Sequence, residues 1–278
     1  MTTTVQEAAG VALSEPDLRA KAELVSSVVA DWSQGRLRNG VAATLVDVDR
    51  PGRPNPPQLV GQRELPKRSY GTPHGRAAVL HSVAHIEANA INLALDAVHR
   101  FGEMPPEFVS DWLGVAADEV RHFQMLTARL AEYGMEYGDL PAHDGLWAMA
   151  RDTSTDLVAR MALVPRYLEA RGLDAGPPMI AAFNRCGDPQ SASLIEVITA
   201  EEVPHVSAGD RWFRWACQAR EIEPESAFLD LLSSRGLWLA PPVNSAARHT
   251  SGFGAEELAN LASVLGEGTR SRSNRIAR

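Results

Sequence analysis

The sequence predicts an all-α protein organised around a four-helix bundle, and three observations carry that prediction. No stretch keeps the period-two alternation of a half-buried strand. Between about residues 75 and 218, long segments rich in Ala, Leu, Val and Met alternate with short stretches holding Gly, Pro and Asp. Within those long segments, Glu and His recur at fixed spacings on faces that are otherwise apolar.

Taken in order, residues 1 to about 20 are polar and Ala-rich and are expected to be loose, and 21–35 form a short helix. Pro51, Pro54, Pro56, Pro57, Pro66 and Pro73 exclude regular helix from 51–75, which reads as an arm lying across the surface. The first bundle helix spans 75–101. The second spans 106–134, with Pro105 and Pro106 at its start and Gly134 at its end. The third, 153–171, is capped by Asp152 or Thr153 and closed by Gly172 in a left-handed conformation. The fourth, 189–218, starts at Asp188 and Pro189. A shorter fifth helix covers 224–235, then 239–254 is irregular, and Arg270, Arg272, Arg275 and Arg278 mark a frayed basic tail. The domain reading is 1–74 as an N-terminal segment and arm, 75–218 as the bundle, and 219–278 as a C-terminal helical extension.

The chain is 45% hydrophobic and 22% charged, enough apolar mass for a real core. Its formal charge of −8 argues against nucleic acid or an anionic membrane as the main partner. No apolar run approaches the roughly 20 residues that span a bilayer. The N-terminus lacks the basic-then-hydrophobic order of a signal peptide. Cys186 and Cys217 match no zinc or redox spacing, read as buried or idle thiols, and fit a reducing cytoplasm, the expected location.

Laid out at about 100° per residue, the first helix has one apolar face, Leu80, Ala84, Ile91, Ala94 and Val98, with Glu87 in its middle. A carboxylate buried there needs a compensating group, because an unpaired buried charge costs several kcal/mol or more. The fourth helix repeats the anomaly: Glu202 and His205 sit among Ile195, Ile198, Val206, Gly209 and Phe213, with Glu201 at the edge. In the second helix Glu119 and His122 have the same Glu-x-x-His spacing, which puts both side chains on one face about a turn apart. The third helix offers Glu169. A single Glu-x-x-His is weak evidence, since surface glutamates and satisfied core histidines are common. Here each half of the chain supplies one Glu and one Glu-x-x-His, and the gaps Glu87 to Glu119 and Glu169 to Glu202 differ by only one residue. That ligand set is the pattern of ferritin-like di-iron and di-manganese carboxylate bundles.

In that pattern four carboxylates neutralise two divalent ions. Glu119 and Glu202 would bridge them, Glu87 and Glu169 would be terminal ligands, and His122 and His205 would add nitrogens that suit iron better than magnesium or calcium. Glu169 lies about 100° from the stripe Leu157, Met161, Val164 and Leu168 on an ideal helix. A kink at Pro165 would have to turn it inward, and Asp156 is the fallback. Pro204, inside the second Glu-x-x-His, removes a helix hydrogen bond between two proposed ligands, which a local kink or π-bulge at the metal site would accommodate.

The stretches HSVAHIEANAINLALD (81–96), DWLGVAADEVRHFQML (111–126), YGDLPAHDGLW (137–147), ARMALVPRYLEARGLD (159–174), EEVPHVSAGDRWF (201–213) and APPVN (240–244) resemble the ferritin-like proteins catalogued as the DUF455 family. The resemblance covers 74–244. It implies a four-helix bundle and supports Glu169 as a ligand through LEARGLD; family members usually carry Gly where Pro204 stands. Related ferritin-like enzymes include hydroxylases of modified transfer RNA and of quinone precursors, an analogy at the level of fold only.

His81, His85, Asn92 and His99 share the polar side of the first helix and read as surface or supporting groups. His85, His143 and Asp118 are the candidates to hydrogen-bond around the ligands, and the polar 137–147 loop either covers one end of the bundle or is an ordered connector pinned by Trp147. Arg160, Arg166 and Arg171 pair with surplus carboxylates or are solvated.

The expected activity is that of a di-iron oxidoreductase, with manganese or a mixed pair as the alternative metals. It would activate O₂ to oxidise a small organic substrate and draw electrons from an external electron-transfer protein, because no flavin or nicotinamide motif is evident. A homodimer is the expected assembly. The rival is an iron-handling or ferroxidase protein without an organic substrate. The proline-rich arm and C-terminal extension argue against a ferritin cage.

Overall fold

The computed structural model describes residues 3–66 and 68–261. It is helical throughout, with no strand among the described residues and two isolated backbone bridges, Thr4 to Arg38 and Leu59 to Ala142. The chain divides into two compact units, Met1–Ser154 with Ala181–Leu194, and Thr155–Ile180 with Ile195–Arg278. None of the helices is long and apolar enough to cross a membrane, among the described residues.

The first unit is centred on two long helices, α3 (Pro73–Arg100) and α4 (Pro106–Glu132). Thr72 caps α3 by accepting from the Gly75 N–H, and Pro73 occupies the first turn, where its missing N–H costs nothing. The two helices run antiparallel. Arg76 in the first turn of α3 donates to the hydroxyl of Tyr133, just past the end of α4 (3.2 Å). Eleven residues further along α3, Glu87 meets His122, which lies eleven residues before Tyr133.

The N-terminal residues, expected to be loose, form the buried helix α1 (Val5–Ser14). Its Ala-rich composition is a packing face: Val5, Ala9, Ala12 and Leu13 are fully enclosed. Thr4 and Glu7 close a capping box at its start. Gly10 is required by a close approach, since a Cβ there would fall 2.6 Å from the His99 ring. His99 donates from Nδ1 to the Gln6 carbonyl (2.7 Å) and accepts the Val46 N–H at Nε2 (2.9 Å). In α2 (Leu18–Ser33), Lys21 is enclosed; it donates to the carbonyls of Leu13 (3.1 Å) and Gly52 (2.9 Å) and to Asn92 Oδ1, and burial pulls its ammonium down to about 7. The proline-rich arm lies across this unit, joined to the loop before α5 by Ala142 N–H to the Gln58 carbonyl (2.9 Å) and Val60 N–H to the Ala142 carbonyl (2.8 Å). The 135–152 connection holds a helix of its own, α5 (Gly145–Asp152), pinned by buried Trp147, which donates to the Val48 carbonyl (2.7 Å).

The second unit corrects the third predicted helix at both ends. α6 (Leu157–Leu163) is capped by Asp156, not by Asp152 or Thr153. A π-helical turn comes next, at Val164–Glu169, and the chain continues as α7 (Ala170–Arg185) through Gly172 rather than ending there. Pro177 and Pro178 sit inside α7. A proline cannot donate to the carbonyl four residues back, and the Leu173 carbonyl freed by Pro177 accepts from the Asn244 side chain instead (3.2 Å). Gly176 permits close packing on α8 (Pro189–Ala219), where an added Cβ would meet Thr199 Oγ1 at 2.2 Å, and Gly172 faces Glu202, whose Cγ would lie 3.9 Å from its added Cβ. At the other end of this contact, a Cβ on Gly209 of α8 would lie 2.4 Å from the Pro165 ring. These pairs, 165 with 209, 172 with 202 and 176 with 199, define an antiparallel register. α9 (Pro224–Ser234) matches the fifth predicted helix, and α10 (Ser245–Thr250) interrupts the segment expected to be irregular. The basic tail from Arg270 lies outside the described residues.

Arg166, in the π turn, is fully enclosed, not solvated. It donates to Asp210 (2.7 Å) and pairs with Glu257 (2.5 Å), with its guanidinium over the rings of Phe228 and Phe253 (4.2 and 4.3 Å). Removing the cation leaves two acidic groups facing each other. We expect Arg166→Met to cost about 3–5 kcal/mol in urea unfolding; a loss below about 1 kcal/mol would show that the clamp is dispensable.

Candidate metal centre

Glu87 sits at the midpoint of α3, and Glu119 and His122 lie one turn apart on α4, as the Glu-x-x-His spacing requires. All three are at most 3% exposed. His122 Nδ1 is 3.5 Å from Glu87 Oε2 and 3.4 Å from Glu119 Oε2, and one ligand atom from each residue falls within 4.8 Å of the others. Two carboxylates and an imidazole converging in a dry helix interface fit a divalent cation of borderline softness. Burial opposes protonation of His122, but hydrogen bonds and charge from Glu119 and Glu87 outweigh it and raise the imidazole to about 10.

The second unit repeats the arrangement. Glu202 and His205 are buried on α8, with His205 Nδ1 3.4 Å from Glu202 Oε2. Glu169, four residues after Pro165, comes level with His205, four residues before Gly209, in the register set by the glycine contacts. Its Oε2 is buried. The π turn explains why. One residue inserted into an α-helix rotates every later residue by about 100°, which is the angle by which Glu169 misses the apolar stripe of an ideal helix. The distortion therefore sits at Pro165 on the facing helix, and α8 runs as continuous helix through Pro204. In both helix pairs the lone glutamate stands opposite the histidine of the Glu-x-x-His partner.

Asp156, the fallback for Glu169, is excluded by its position. It caps α6 by accepting from the Val158 N–H (3.0 Å) and pairs with Arg220 at the surface (2.8 Å). Asp118 pairs with Arg121 on the partly exposed side of α4 (2.8 Å). His85 points away from Glu87, two residues on. It is buried and bonded to the Tyr137 hydroxyl (2.9 Å) and the His143 carbonyl (3.1 Å). His143 contributes that carbonyl, while its own Nδ1 accepts from the Gly145 N–H (3.1 Å). His81 accepts from the Gly138 N–H (3.0 Å) and stacks on Tyr137 (5.3 Å). His81 and His85 are thus buried anchors for the 137–143 loop and not surface groups. Nothing in the residue pattern marks Tyr137 as their partner, although it opens the polar stretch YGDLPAHDGLW. Cys186 and Cys217 are free thiols, half-buried and buried.

A family model described as "Protein of unknown function (DUF455)" matches residues 14–259. The chain belongs to the DUF455 family. The match begins at the end of α1 and takes in Glu87, Glu119, His122, Glu169, Glu202 and His205. A Haemophilus influenzae relative, described as an uncharacterized protein, is 42% identical over 213 residues, 74% of each chain. No solved structure matches the chain.

In metal-free DUF455 protein the raised His122 pKa stabilises the fold below the unfolded value of about 6.5, and that contribution disappears as pH climbs toward 10. Urea unfolding of the chelated protein should therefore show stability falling over this window, with a shallower fall in His122→Gln. An identical slope in both proteins would mean that His122 does not hold a proton between the carboxylates.

Proposed function

We propose that this DUF455 protein is a ferritin-like dimetal carboxylate oxidoreductase. In this reading Glu87, Glu119 and His122 join Glu169, Glu202 and His205 around two ions inside a four-helix bundle. The observation that carries it is the duplication: two antiparallel helix pairs, each placing a lone glutamate opposite the histidine of a Glu-x-x-His.

Glu87, Glu119, Glu169 and Glu202 would hold the ions together with His122 and His205, and their four carboxylates would balance two divalent charges. Iron is the metal we favour, with manganese or a mixed pair as alternatives, because imidazole and carboxylate together suit them all. When bound, the iron pair supplies the electrons that reduce O₂ in the oxidation of an organic substrate. The protein's part is to fix the ligands, exclude bulk water through the enclosed helix faces and keep the imidazoles oriented. Electrons for repeated turnover come from a separate electron-transfer protein.

Anaerobic titration of metal-free protein with Fe(II), with O₂ uptake measured afterwards, tests this directly. Two equivalents should bind per chain, and Glu119→Ala and Glu202→Ala should each abolish stoichiometric binding of the pair together with the uptake. A load of many irons per chain would favour iron storage. Failure to bind iron, with no uptake, would overturn the oxidoreductase reading.

A further inference from the structure

We propose a second binding site, on the face of α3 turned away from Glu87, that takes a small uncharged molecule carrying N–H donors, such as an amide or an amino-substituted ring. Between α3 and the proline-rich arm lies a cavity of about 420 Å³, floored by His85, Asn89 and Asn92 and walled by Leu18, Leu59 and Tyr137. The volume is in the range that holds small organic ligands. The three floor residues succeed one another at helical spacing, i, i+4 and i+7, and each is at least nine-tenths buried.

The hydrogen bonds around the floor determine what it offers. Asn92 accepts from Lys21 and donates to the Gly52 carbonyl (3.1 Å). Asn89 donates its amide N–H to the His85 carbonyl (2.7 Å). A carbonyl only accepts, so this bond fixes the orientation of the amide and leaves Asn89 Oδ1 as an acceptor turned to the cavity. His85 joins the floor to the wall, its Nδ1 2.9 Å from the Tyr137 hydroxyl and its Nε2 3.1 Å from both the His143 carbonyl and Asn89 Nδ2. The Tyr137 hydroxyl donates to that Nδ1 or accepts from it according to the tautomer, and its oxygen keeps a lone pair in either case, a second acceptor in the wall.

Two acceptors set among Leu18, Pro57 and Leu59 select a ligand with N–H groups and an apolar body. Charge is not wanted: the one cation of the lining, Arg53, is already paired with Asp144 (2.5 Å). The alternative occupant is water, which satisfies such acceptors but has no use for the apolar walls.

The test is ligand-observed NMR on the full chain, with benzamide as probe and N,N-dimethylbenzamide as the same ring without N–H donors. Benzamide should receive saturation from the protein and bind about tenfold more tightly than its dimethyl analogue, as expected for a neutral hydrogen bond. Asn89→Leu should remove that preference. Leu18→Trp, at the half-exposed rim, should block both probes while leaving the thermal unfolding midpoint in place, and it decides the question if Asn89→Leu fails to fold. No transfer to benzamide, equal binding of the two amides, or undiminished binding to Leu18→Trp would overturn the proposal. No readout involves iron, so the result is separate from that of the dimetal reading.

Discussion

Carboxylates withdrawn from water set the main constraint on this protein. Glu87 and Glu119 lie in the interface of α3 and α4, and Glu202 lies on α8, where side chains of this kind are ordinarily replaced by Leu or Ala. Packing alone would never select them, because each ionised carboxylate taken out of water costs several kcal/mol unless positive charge meets it. His122 meets part of that demand in the first unit, and His205 stands beside Glu202 in the second. A histidine carries at most one positive charge, and it faces two carboxylates in the first unit. Two carboxylates and an imidazole brought this close could hold a divalent cation.

The helix distortions arise from the same constraint. Pro165 and its π turn bring Glu169 onto the inner side of its helix, and Gly209 clears space for the Pro165 ring. Arg166, inside the turn, is tied to Asp210 and Glu257 and enclosed by aromatic rings. A distorted segment carrying a proposed ligand is thereby held by a fully buried charge cluster. Gly176 lets α7 approach α8 closely beyond it.

Much of this is legible in the residue pattern, for a physical reason. Glu87, Glu119, His122, Glu202 and His205 violate amphipathic periodicity, and a violation repeated at matched spacing stands out against any background. The long helices α3, α4 and α8 are likewise marked by Pro and cap residues at their starts. Less can be read where the outcome depends on distant partners. The Ala-rich start looks polar because its packing face is built from small residues that carry little hydrophobic signal, and its burial depends on His99, far along the chain. Gly172 has the composition of a helix end, yet it lies inside α7, facing a helix that comes later in sequence. Arg166 has no partner in its own stretch of sequence, since Asp210 and Glu257 are brought to it only by the fold. The polar side of α3 resembles a solvated face, and it is covered by an arm whose prolines disclose only that it is not a helix.

In the proposed function the two helix pairs serve one dinuclear centre and not two separate ion sites. Mössbauer spectroscopy of the protein loaded with ⁵⁷Fe and oxidised by air, at low temperature and in an applied field, distinguishes the two. A shared centre should give a pair of ferric ions coupled antiferromagnetically into a diamagnetic ground state. Magnetically split spectra from isolated ferric ions would contradict it, leaving each Glu-x-x-His as a site of its own.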